Sequence, residues 1–140
     1  MLIDREKLKL INDWDTNIFN YFEDMDLCLR FRLKGFEIVK IRDAEVDHDA
    51  FSSHNENFSK KMDFSRNWHY SWSRFYFIKK HTSILNAYKF GVSLLIKSII
   101  KSSFYIFFKK SKSITHFAKA YGVCFALLNI KSKYRPKIKI

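Results

Sequence analysis

Along residues 17–35, NIFNYFEDMDLCLRFRLKG, apolar positions Met25, Leu27, Leu29, Phe31 and Leu33 mix into helical spacing, and Gly35 stands where a helix C-cap belongs. A helix of about three turns is expected. The next run, FEIVKI over 36–41, brackets polar residues with Phe36, Ile38 and Ile41 and reads as a strand. A turn at Arg42-Asp43 and a short AEVDH segment follow, completing a helix–strand–turn–strand pattern that predicts an α/β unit. Residues 50–65 are polar and Ser/Asn-rich, the composition of a mobile loop. From 66 to 81 the aromatics Trp68, Tyr70, Trp72, Phe75, Tyr76 and Phe77 recur at spacings compatible with a helix whose aromatic face must bury.

Two apolar stretches follow, 90–108 and 118–130. The first has the length of a membrane span, but Lys97 and Lys101 interrupt it. A central lysine costs about 2.5–3.5 kcal/mol on insertion scales. Four residues apart, the two lysines share one helix face, as in an amphipathic helix lying in a membrane interface. An ordinary amphipathic helix packed on the domain explains the pattern equally well. No internal repeat is present.

Composition sharpens this picture. A chain of 140 residues, 47% hydrophobic and 18% aromatic, suits one domain with a core and excludes a disordered chain. The net charge of +12 is unevenly divided: residues 1–63 carry −4, whereas 64–140 contain no acid and carry +16. A basic tail of this kind attracts phosphates, on nucleic acid or on an anionic membrane surface. Nucleic acid is the weaker partner, since the lysines are scattered through apolar helices and no binding motif is present. Cys28 and Cys124 stand in apolar helical contexts without a C-x-x-C partner and read as buried, reduced thiols. The N-terminus has no uninterrupted apolar run, so no secretory signal is expected, and the cytoplasm is the default location, peripheral at the inner membrane face if the tail binds lipid.

The most informative stretch is Phe22-Glu23-Asp24-Met25-Asp26-Leu27, with Arg30 one turn on. Acids at a helix start are stabilised by the positive end of the helix dipole, and that alone accounts for them. The wider pattern says more. Trp14-Asp15, Phe19, Tyr21-Phe22-Glu23-Asp24, Asp26-Leu27, Arg30, Gly35-Phe36 and His48 occur in the order in which they appear in family 2 glycosyltransferases, and the segment 1–48 resembles the rhamnosyltransferase-like members of that family.

The resemblance implies an α/β architecture, a partial GT-A fold comprising its C-terminal half over 1–82, followed by a basic amphipathic helical tail over 83–140. It implies an inverting transfer from a nucleotide-sugar donor to a saccharide or lipid-linked acceptor, in surface polysaccharide synthesis. Asp24 would be the general base and Glu23 would orient the acceptor. Asp26 and Arg30, one turn apart, would hold local structure or bind the acceptor or diphosphate. His48 would help ligate a divalent ion, Mn²⁺ or Mg²⁺. Of the residues on 66–81, His69 and Lys80 are the candidates for the diphosphate or an acceptor's phosphate, against a plain reading of core aromatics and solvated cations.

The donor-binding half, with its strands and D-x-D, is expected to be missing. The chain would then be a fragment, inactive alone or completed by a second chain. Asp13-Trp14-Asp15, Asp24-Met25-Asp26 and Asp47-His48-Asp49 fit D-x-D only by letter. Ser52, Ser53 and His54 lack a nucleophile elbow or third partner, and three glycines make no phosphate loop. The alternative is a non-catalytic protein whose basic tail binds a membrane surface or nucleic acid.

Overall fold

The computed structural model describes residues 1–43, 45, 56–132 and 134. These form five helices: α1 (Arg5–Leu10), α2 (Glu23–Leu33), α3 (Glu56–His81), α4 (Ile84–Phe108) and α5 (Lys110–Leu127). Local chemistry sets their ends. The Asp4 carboxylate accepts from the Glu6 and Lys7 amides and caps α1. The Ser83 hydroxyl does the same for the Asn86 amide and starts α4. Helix α2 has Glu23, Asp24 and Asp26 in its first turn and Arg30 and Arg32 in its last, the polarity its dipole favours. Gly35, at φ 81°, turns the chain away after it.

Helices α3, α4 and α5 pack together around Trp68, Trp72, Phe75, Ala87 and Ala126. The chain reverses at Lys109, so α4 and α5 run antiparallel and Ser102 meets Ser113. Helix α5 crosses α3 so closely that a Cβ on Gly122 would lie 2.2 Å from the Trp68 carbonyl oxygen. The opposite side of α3 carries the N-terminal segment and α2. There Phe19 lies on His69, Phe22 packs against Tyr70 and Phe77, and the Ser73 hydroxyl donates to the Asn20 carbonyl.

This architecture corrects the α/β expectation. Every regular element among the described residues is a helix, so the fold is all-helical and is not a partial GT-A domain. Residues 36–41 have no regular structure, and Ile38, Val39 and Ile41 are exposed. Their alternating pattern suits a strand, but a strand requires a neighbour to take its N–H and C=O groups, and none among the described residues is paired with it. Most of the second expected strand, including His48, lies outside the described residues. The loop expected over 50–65 is corrected in part, because α3 already begins at Glu56. An Asp63–Arg66 pair one turn apart supports that polar first half. Cys28 and Cys124 are free thiols, each half-buried.

Candidate functional site

The acids of α2 divide into two environments, since Asp24 and Asp26, two residues apart, stand on opposite faces of the helix. Tyr21 and Phe22 have φ of 65° and 69°, a left-handed conformation that bulky side chains avoid. Each such residue costs on the order of 1–3 kcal/mol and persists only where its surroundings hold it. Ring contacts do so here: Tyr21 to Tyr70 at 5.7 Å, and Phe22 to Tyr70 and Phe77, both at 5.5 Å. Within the first turn of α2 that follows, Asp24 is exposed and Asp26 faces α3.

On the outward side, Glu23 and Asp24 line an open cleft of about 550 Å³ together with Asn20, Tyr70 and Arg74. Asp24 is exposed, and its Oδ1 accepts from the Met25 amide at 2.8 Å, leaving Oδ2 available to a ligand. Glu23 Oε2 is buried without a hydrogen-bond partner among the described residues. The Arg74 guanidinium lies 4.7 Å over the Phe90 ring, so the cleft borders α4.

On the inward side, Asp26 is fully buried and surrounded by cations. Its Oδ2 accepts from Arg30 Nε at 2.8 Å, and its Oδ1 lies 2.7 Å from Lys80 Nζ and 2.6 Å from His81 Nε2. Lys80 also reaches Asp15 Oδ2 at 2.7 Å, and the Tyr76 hydroxyl donates to the same oxygen at 2.9 Å. Arg30 further donates to the Ile11 carbonyl. Burial pushes the Asp26 carboxyl up, but hydrogen bonds from Lys80, His81 and Arg30 outweigh it and hold the group below the usual range. Burial also opposes ionisation of Asp15, yet Lys80, Asn17 and Tyr76 bring it down to about 2. Burial, and then the Asp15 charge, push Tyr76 up to about 12. This cluster fastens α2 and the N-terminal segment to α3.

The candidates named from sequence therefore separate. Asp24 and Glu23 share the cleft. Asp26, Arg30 and Lys80 come together in the buried cluster instead. His69 is fully buried, with Nε2 donating to the Tyr134 carbonyl at 2.9 Å and Nδ1 at 3.1 Å from the Ser132 hydroxyl, among the Phe19 and Trp68 rings. It lies in the core rather than in the cleft. His48 lies outside the described residues.

Sequence reasoning missed Asp15, Tyr76 and His81 as members of the cluster. The available signal was the basic run Lys79-Lys80-His81 closing α3 in a chain whose acids are all upstream of it. Among the described residues no group of three or more His, Cys, Asp or Glu is placed to hold a metal ion, Asp15 and Asp26 being committed to cations. No protein-family model, curated protein or solved structure matches the chain.

Proposed function

We propose that this chain supplies the acceptor side of an inverting, nucleotide-sugar-dependent glycosyl transfer, with Asp24 as the proton acceptor. The observation that supports this most is the division of the acids. Of the motif Glu23-Asp24-x-Asp26-x-x-x-Arg30, the carboxylate nominated as base is the one exposed on a cleft, while Asp26 and Arg30 neutralise each other beneath it. The reading rests on motif chemistry and on the cleft, and carries no claim of a sheet.

In this reaction the acceptor hydroxyl sits over Asp24, and Oδ2 takes its proton as the oxygen attacks the anomeric carbon. The bond to the nucleoside diphosphate breaks on the opposite face, so the configuration inverts. Glu23 orients the acceptor, and Arg74 neutralises a phosphate on it. The donor is held by a separate nucleotide-binding half, in the same polypeptide or in a second chain.

The test is sugar transfer from a panel of nucleotide sugars to saccharide and lipid-linked acceptors, with the donor-binding half supplied in cis or in trans. Asp24→Asn is expected to lower turnover by about 10²–10⁴-fold. Its thermal unfolding should match the parent, because Asp24 is exposed and bonded only locally. Turnover close to normal in that variant removes Asp24 from the base role.

A further inference from the structure

The hairpin of α4 and α5 is packed inside out. Small residues predominate among its buried ones, Ala87, Gly91 and Ser98 of α4, and Ser113, Ala120 and Val123 of α5. Ser102 and Ser113 bind each other's carbonyls through their hydroxyls, at 3.0 and 2.8 Å. Phe90, Phe125 and Leu127 pack against the α3 aromatics, and many of the other large apolar side chains point away. Leu85, Val92, Ile96, Ile99, Ile100 and Phe107 recur at three-, four- and seven-residue steps along one outer face, and Phe107 is 85% exposed.

In water, a protein buries its large apolar groups and leaves small patches outside. Where the surroundings are themselves apolar, close packing through Gly, Ala and Ser with interhelical hydroxyl bonds takes over, and the large side chains face outward. Charge selects which apolar surrounding this is. Lys89 stands on the stripe's own face, Lys97 and Lys101 border it, and no Asp or Glu occurs anywhere from residue 64 onward. Lys119, Lys101 and Lys112 also surround His116, where burial first and these cations second disfavour protonation. A second copy of the chain would bring two such basic faces together, and DNA would leave the stripe in water.

We propose that the α4–α5 hairpin is a docking surface for an anionic phospholipid bilayer, lying in the plane of the membrane with its apolar stripe among the acyl chains and its lysines at the headgroups. Helix α4 is the one helix among the described residues long and apolar enough to cross a membrane. Crossing would place Lys97 and Lys101 near mid-bilayer and would carry the packed α3 in with them. Lying flat satisfies both the stripe and the lysines. The proposal is independent of glycosyl transfer, since vesicle binding requires neither donor nor acceptor.

The test is co-sedimentation of the full chain with phosphatidylcholine vesicles, with and without phosphatidylglycerol, across a salt series. Strong binding only to the anionic vesicles, weakening as salt rises, is expected. Lys97→Glu with Lys101→Glu should weaken binding by about a hundredfold or more, because each cation near an anionic surface contributes separately and reversal turns attraction to repulsion. Ile96→Ser with Ile99→Ser should weaken it further from the apolar side. All four positions are exposed, and matching thermal unfolding of the unbound variants establishes that they fold. Phe107→Trp reports directly, its fluorescence shifting blue on binding.

Equal affinity for neutral and anionic vesicles with resistance to alkaline extraction would overturn the proposal in favour of a span. A stable dimer that conceals the stripe and does not bind vesicles would overturn it in favour of self-association. Salt-sensitive binding to DNA without vesicle binding would overturn it in favour of nucleic acid.

Discussion

At the front of the molecule the fully buried side chains include a carboxylate, Asp26, and, further along α3, an imidazole, His69. At the back, the buried residues of α4 and α5 are alanine, glycine, serine and one valine, while isoleucine and phenylalanine face outward. Hydropathy alone would have exchanged these roles. In the front, a charge is buried because Arg30, Lys80 and His81 accompany it, and a partnered ion is tolerated where a lone one is not. In the back, the helices approach closely because nothing large stands between them. Position inside this protein follows the availability of partners and the room between backbones.

The comparison can be broken at either end. The largest effect is expected from Asp26→Asn, which leaves Lys80 and Arg30 without their shared buried counter-charge. Losing one member of a buried ion pair costs about 3–5 kcal/mol, read as a lower midpoint in urea unfolding. A loss below about 0.5 kcal/mol, the size of an ordinary surface change, would show that the cluster does not fasten α2. At the back the smallest possible addition should be costly. Gly122→Ala puts a methyl 2.2 Å from the Trp68 carbonyl oxygen, an obstacle of backbone that cannot rotate away. Overpacking of this kind costs about 1–3 kcal/mol, and thermal unfolding of the variant measures it.

The mildest test uses pH. Asp15 titrates at about 2 in the folded chain against an ordinary value of 3.8, so its pairing with Lys80 stabilises the fold fully above pH 3.8. That contribution falls away as pH drops through this window toward 2, by about 2 kcal/mol in all. Asp15→Asn should flatten the acid limb of the stability curve. An unchanged limb would assign acid sensitivity to Asp26 instead.

The parts of this structure legible in sequence are those decided within a turn or two. Helix α2, its Gly35 terminus, the Asp26–Arg30 pair and the aromatic helix after residue 66 all rest on neighbours three or four positions apart. The strand over 36–41 was misread because its alternation is local whereas pairing is not. The Asp15–Lys80–Asp26 bridge joins residues separated by 65 and 54 positions, and single acids and lysines give no sign of such partners. Nor does Tyr-Phe announce two left-handed residues, since composition favours glycine or asparagine there. That turn leads directly into the helix on which Asp24 meets solvent and Asp26 does not.

Arg74 reaches from the mouth of the cleft to the ring of Phe90, and so joins the cleft to the hairpin proposed to meet lipid. An alcohol carried on a greasy anchor would then find Asp24 by wandering within a leaflet, a two-dimensional search. Its encounter rate would depend on how crowded the leaflet is with carriers rather than on their concentration in the surrounding fluid.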